Sequence, residues 1–172
     1  MTDLTGTKRS TETATASPEQ VEGTREVTLT RIIDAPRELV FEAWTDPKHM
    51  AQWWGPRYFT NPVCEMDVRP GGSMHIRMQG PGGDNYPMKG TFREVVKPEL
   101  LVFSGIALED RDGSTILETV TTVMFDEHDG KTKLTVHSAA TPVGPSTEGP
   151  LAGMEEGWSQ SLDKLTEYLE QR

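Results

Sequence analysis

The chain has 172 residues, and 27 acidic against 17 basic side chains give a formal net charge of −10 at pH 7. This length fits one domain around one hydrophobic core. The negative charge and the lack of a basic stripe argue against a nucleic-acid partner. No apolar run approaches the roughly 20 residues of a membrane span, and the N-terminus lacks the apolar centre of a secretory signal, so we predict a cytoplasmic protein without a membrane partner. The single cysteine, Cys64, excludes an internal disulfide.

Residues 1–23 have a composition of their own. Thr, Ser, Glu and Ala dominate this segment, and Leu4 and Val21 are its only aliphatic residues beyond alanine. Such a segment cannot offset its ordering entropy by burial. We therefore predict a disordered or loosely attached tail over 1–23 and a folded domain over 24–172.

The domain is predicted to begin with a strand and two short helices. The segment REVTLTRIID alternates apolar and polar side chains, which is typical of a half-buried strand. Asp34 is a good helix N-cap, and Pro36 suits a first helical turn. The run Thr45-Asp46-Pro47 repeats this signal and predicts a second helix through Trp54. The tryptophan-rich stretch AWTDPKHMAQWWGP is thus a helix–helix corner.

From Phe59 onward the chain alternates between strand patterns and turn residues. Short turns such as Gly71-Gly72 and HDG separate six or so strands. Because no helix pattern interrupts them, parallel crossovers are excluded and an antiparallel meander is expected.

The C-terminal segment predicts a long amphipathic helix, in which Gly153 and Gly157 each cost roughly 1 kcal/mol relative to alanine. Its apolar stripe consists of Leu151, Met154, Trp158, Leu162, Leu165 and Leu169.

Four motifs carry a resemblance to a known family: RIIDAPRELVFEAWTDPKHMAQWWGP (31–56), DVRPGGSMHIRM (67–78), GPGGDNYPMKGTFREVVKPELLVFS (80–104) and GMEEGWSQSLDKLTEYL (153–169). The chain resembles the START-like (SRPBCC) superfamily and, within it, the activator of Hsp90 ATPase homologue 1-like (AHSA1) family. The resemblance implies an α+β helix-grip fold: a curved antiparallel sheet of six to seven strands around a long C-terminal helix, with two short helices after the first strand. This fold hosts lipid binders, cyclases and co-chaperones, so it does not fix a function.

The helix-grip fold implies a space between sheet and helix, and we predict which side chains bind a ligand there. An apolar stripe is usually core, and that interpretation remains for most of these positions. The methionines favour a cavity, because a thioether wall adapts to apolar guests of varied shape. The predicted ligand-binding residues are Trp54 and Tyr58 at the mouth, Met74, Ile76, Met78, Met88, Phe92 and Phe103 on strands, and Met154 and Trp158 on the last helix.

Catalytic and metal signals are weak. The four histidines, His49, His75, His128 and His137, lack close ligand spacing, so we predict no metal and no cofactor. The candidate acids or bases are Glu65, Asp67, Glu94 and Glu118, although solvated strand carboxylates are much commoner than catalytic ones.

Three functions from different classes remain. The first is a module that binds a small apolar or aromatic molecule for transport, sequestration or sensing. This function requires the fewest specific sequence features. The second is an Hsp90-type co-chaperone in a stress response, as the family resemblance implies. The third is a cavity enzyme that catalyses a cyclisation, hydration or hydrolysis. A homodimer stays open under all three.

Overall fold

The computed structural model describes residues 24–109, 115–142 and 153–171, so the expected tail over 1–23 and Leu151 lie outside the described residues. Within these ranges the chain forms seven strands and three helices. In chain order they are β1 (Arg25–Ile33), α1 (Arg37–Thr45), α2 (Pro47–Trp53), β2 (Thr60–Met66), β3 (Ser73–Gln79), β4 (Asn85–Val96), β5 (Leu100–Glu109), β6 (Thr115–His128), β7 (Lys131–Pro142) and α3 (Met154–Glu170).

The strands form one sheet in the order β1-β7-β6-β5-β4-β3-β2. Every neighbouring pair is antiparallel. Only the β1–β7 contact joins strands that are distant in the chain, so the rest is the expected meander. The predicted α+β helix-grip fold is confirmed.

Alternation along each strand separates an inner from an outer face. On β7, for example, Leu134, Val136 and Ser138 are at most 1% exposed, whereas Lys131 and Lys133 are exposed. This two-residue period places the apolar side chains of successive strands on one inner face, against which α3 packs.

Polar contacts tie α3 to elements at both edges of the sheet. On the β1 side, Arg31 donates from Nη2 to Ser159 Oγ at 3.0 Å and lies 3.7 Å from the Asp163 carboxylate. On the β2 side, the His49 ring on α2 is 2.6 Å from the Tyr168 hydroxyl. These contacts hold the helix across the inner face.

The two short helices begin differently. Asp46 caps α2 as predicted, because its Oδ1 accepts a hydrogen bond from the Lys48 backbone N–H at 2.9 Å. The prediction of Asp34 as the cap of α1 is wrong: the N-cap residue is Pro36, and no side chain caps this helix. A tight turn, in which Ala35 N–H bonds Ile33 C=O, lies between the strand and the helix and moves the helix start past Asp34.

The helix corner buries its aromatic rings in the core. Trp44 and Trp53 are fully buried, with ring centroids 4.7 Å apart. Trp53 donates from Nε1 to the Ala43 carbonyl at 2.9 Å, which satisfies its polar atom inside the core. The corner therefore anchors α1 and α2 to the sheet. No helix in the described ranges is long and apolar enough to span a membrane.

Candidate functional site

A cavity of about 460 Å³ lies between the inner face of the sheet and the first two turns of α3. The helix contributes Met154, Gly157, Trp158 and Ser161 to its wall. Gly157 leaves room because a Cβ at this position would meet only Pro56 Cγ, at 3.8 Å. The glycine that sequence reasoning singled out thus borders the cavity.

The segment between α2 and β2, residues 54–59, closes one side of this space and is defined here as the mouth segment. Its shape depends on Lys164, whose Nζ lies 3.2–3.4 Å from the carbonyl oxygens of Trp54, Gly55, Pro56 and Phe59. Burial, followed by the nearby Arg57 charge, lowers the pKa of Lys164. One ammonium group, with three N–H donors, is therefore shared among four carbonyls of the mouth segment.

An exposed ion pair also fastens the mouth segment to α3. Arg57 donates from Nη2 and Nη1 to the two Glu167 carboxylate oxygens at 2.7 and 3.3 Å, and its backbone N–H bonds Gln160 Oε1 at 3.1 Å. The hydrogen bonds within this pair raise the pKa of Arg57 and lower the pKa of Glu167. Such an exposed pair adds little stability but fixes an orientation.

Gly55 is required by its surroundings at the start of this segment. Its φ of +90° lies in the left-handed region, and a Cβ would come within 2.9 Å of Met78 Sδ. Glycine thus lets the chain turn directly against the cavity wall.

Two indoles form the aromatic part of the wall. Trp54, at 6% exposure, meets Trp158 edge to face with centroids 5.4 Å apart. Trp158 in turn lies nearly parallel to the buried Trp44, at 6.3 Å. Packing against Trp44 therefore orients the rings that border the cavity.

The sheet side of the cavity carries a pair of buried hydroxyls. Thr121 on β6 and Ser138 on β7 are direct cross-strand partners, each 1% exposed, with their oxygens 2.9 Å apart. Thr119 lies two residues earlier on the same face, and Ser161 faces the cavity from the helix. The wall is thus apolar except for a few neutral hydroxyls.

Residues 34–170 match the family model of "Activator of Hsp90 ATPase homolog 1-like protein". The chain belongs to this family. Similar solved structures share the fold. A Nitrosomonas europaea protein is 24% identical, with a TM-score of 0.71 over 85% of this chain and 94% of that chain. A Mycobacterium smegmatis protein is 26% identical, with a TM-score of 0.68 over 84% and 90%. The AHSA1 protein of Silicibacter pomeroyi is 24% identical, with a TM-score of 0.68 over 85% and 98%. No curated protein is similar enough to match.

The predicted ligand-binding residues fall into three groups in this AHSA1-like domain. Those on the cavity wall are Trp54, Met78, Met88, Phe103, Met154 and Trp158. Met74, Ile76 and Phe92 are at most 1% exposed and pack in the core without lining the cavity. Tyr58 is 82% exposed, with φ +71°, and points into solvent. Ligand binding by any of them stays a prediction, and our proposal below uses only the wall residues.

The candidate acids and bases lie away from the cavity. Glu65, Asp67, Glu94 and Glu118 are all exposed, and none of them lines it. Among the described wall residues, Tyr86 alone has an ionisable side chain. Burial, and secondarily the Asp46 charge, raise the pKa of the Cys64 thiol on β2 to about 11, which keeps it protonated at neutral pH.

One cluster at the helix corner could hold a metal ion. Ligand atoms of Glu42, Asp46 and His49 all lie within 4.8 Å of one another. Nε2 of His49 is 3.5 Å from Glu42 and 3.8 Å from Asp46. An imidazole beside two carboxylates is also a common surface arrangement without a metal ion, and none of the three residues lines the cavity. His75 and His137 lie on strands that β4, β5 and β6 separate.

Proposed function

We propose that this AHSA1-like protein binds a small, neutral, mostly apolar molecule between the sheet and α3, for transport, sequestration or sensing. The observation that carries the proposal is the cavity of about 460 Å³. Close-packed interiors contain few voids larger than a water molecule, and a cavity of about 150 Å³ already holds a benzene. This space is therefore large enough for a molecule of two or three fused rings.

The chemistry of the wall supports an apolar guest. The indoles of Trp54 and Trp158 offer flat surfaces, and the thioethers of Met78, Met88 and Met154 adapt to the shape of the guest. No described wall residue carries a formal charge at neutral pH, so an ionic guest would lose its hydration without a compensating partner. The described wall also offers no acid–base pair on which to build a cyclase, hydratase or hydrolase mechanism.

The proposal is tested with N-phenyl-1-naphthylamine, a neutral fluorescent probe. We expect saturable binding of one molecule per chain, with energy transfer from tryptophan. Met154→Trp puts a larger side chain at the cavity and should weaken binding at least tenfold, because a filled site excludes the probe. The matched control is Met124→Trp, which makes the same change at an outer, 39% exposed methionine. Equal probe affinity in wild type and both variants would contradict the proposal.

The family description gives a second candidate, action on an Hsp90-type ATPase. The observation that favours it is Tyr58, an exposed aromatic residue beside Arg57 of the kind found at the centres of protein interfaces. We place this function second because the Arg57 side chain is already bound to Glu167. We expect no increase in the Hsp90 ATPase rate on adding the protein. A saturable increase that Tyr58→Ala abolishes would make the co-chaperone function the better one.

A further inference from the structure

The Thr121 and Ser138 hydroxyls form one hydrogen bond, and one of their two O–H hydrogens has no acceptor. When two hydroxyls bond each other, one hydrogen is used and the accepting partner keeps its own. Within the described part of the chain, neither side chain makes a hydrogen bond other than the 2.9 Å contact between the two oxygens. One O–H group at the cavity wall therefore has no acceptor of its own, although both residues are 1% exposed.

Such an O–H group is costly in an apolar surrounding. A buried donor without an acceptor costs about 1–3 kcal/mol, and an under-used lone pair is tolerated better. The neighbouring hydroxyls do not remove this cost, because Thr119 donates to the Gly105 carbonyl and Ser161 donates to the Gly157 carbonyl. Both have backbone acceptors, so among these four described serine and threonine hydroxyls the surplus donor belongs to the Thr121–Ser138 pair.

We propose that the ligand of this cavity carries one neutral acceptor oxygen, of the ketone or phenol class, which accepts the spare hydrogen of the Thr121–Ser138 pair. This inference rests on the proposed binding function and narrows its ligand class. The apolar body of the ligand lies against Trp54 and Trp158, and the oxygen points to β6 and β7. A carboxylate is disfavoured, because no described wall residue supplies a cation to offset its lost hydration.

Two naphthalenes of nearly equal shape isolate the oxygen. 2-Acetylnaphthalene carries a ketone where 2-isopropenylnaphthalene carries a CH₂ group. Dissociation constants for both are measured by displacement of N-phenyl-1-naphthylamine from wild type and from the double variant Thr121→Val/Ser138→Ala. We expect the variant to lose about five- to tenfold in affinity for the ketone relative to the alkene, which is the effect of one net hydrogen bond. The comparison across variants cancels the different hydration of the two probes.

Two controls separate this effect from a change in the fold. Thr132→Val removes another buried strand hydroxyl, which bonds the Ala35 carbonyl and does not line the cavity, and should leave the ketone-to-alkene ratio unchanged. The carbonyl stretch of ¹³C-labelled 2-acetylnaphthalene is also measured by infrared spectroscopy on the wild-type protein. We expect a lower frequency than in a hydrocarbon solvent, and this measurement needs no variant to fold.

The outcomes distinguish this inference from the function on which it rests. If neither naphthalene nor the fluorescent probe binds, the proposed function fails and the inference fails with it. If the alkene binds, but the ketone stretch is hydrocarbon-like and the double variant leaves the ratio unchanged, the ligand-class inference alone is overturned. A lowered stretch together with a ratio that changes in the double variant, but not in Thr132→Val, supports it.

Discussion

The two halves of the inner face share one sheet and one helix but differ in the size of their side chains. In the packed half, Leu162 and Leu165 of α3 belong to the same core cluster as Trp44 and Phe125, and all four residues are fully buried. In the open half, α3 presents Gly157 and Ser161, and β7 presents Ser138 and Ala140.

This difference shows what creates the cavity. Small residues on the helix and on β7 leave space where large ones would have closed it, although the backbone architecture is the same along the helix. The fold alone therefore does not determine where a ligand can enter. Side-chain volume at a few positions does, and each position can be changed separately.

The largest expected effect is the difference between Trp44, which lies in the packed half, and Trp54, which borders the cavity of the open half. Trp44 is fully buried, with the rings of Trp53 and Phe125 close to it, so Trp44→Ala should lower the free energy of unfolding by about 3–5 kcal/mol. Trp54 borders space that is already empty, so Trp54→Ala should cost roughly half as much. Chemical denaturation of both variants measures this difference. A greater loss at Trp54 would contradict the division into a packed and an open half.

The second prediction concerns the contacts between Lys164 and the mouth segment. Lys164→Met keeps much of the buried stem but removes the ammonium that four carbonyls share, and should cost about 2 kcal/mol. Probe affinity should fall as well, since the mouth segment forms part of the wall. Lys48→Met, at an exposed lysine of α2, is the matched control and should change neither quantity. If the two variants behave alike, Lys164 does not hold the segment.

Local patterns predicted the elements well, because they depend on neighbours in the chain. The Asp46-Pro47 signal and the strand alternation needed no tertiary information. The prediction of Asp34 as a helix cap was wrong because aspartate also suits a turn, and only the structure shows that a turn separates β1 from α1.

The site was harder to predict, because it depends on register. Alternation along β6 puts Thr121 on the same face as the buried Val123, but the pairing of Thr121 with Ser138 requires the β6–β7 alignment. Likewise, the chain alone does not show that Lys164 reaches carbonyls more than a hundred residues away. The sequence predicted a cavity but not its polar contacts.

A smaller effect concerns Gly157. Gly157→Ala should raise the free energy of unfolding by up to about 1 kcal/mol, because alanine favours a helix and its Cβ meets nothing closer than 3.8 Å. The added methyl group should also weaken probe binding slightly. Gly130→Ala is the contrasting variant: it has open space but a φ of +80°, so it should destabilise. A Gly157→Ala protein less stable than wild type would mean that the space beside Pro56 is not free.

The smallest expected effect uses Cys64 to test how dry the packed half is. Its thiol lies against the core, and its pKa is raised to about 11, so the thiolate fraction at pH 8 is on the order of a hundredfold smaller than for an ordinary cysteine. Ellman's reagent should therefore react slowly with the folded protein and rapidly in denaturant. A raised folded-state pKa means that the folded chain holds this proton longer, so the free energy of unfolding should decline as pH rises from about 8.5 to about 11. Cys64→Ala should make that decline shallower, whereas the packing lost with the sulfur lowers the free energy of unfolding equally at every pH. Equal reaction rates for the folded and denatured chains would show that water reaches the thiol. The packed half would then not exclude water at β2, and the contrast with the open half would be wrong there.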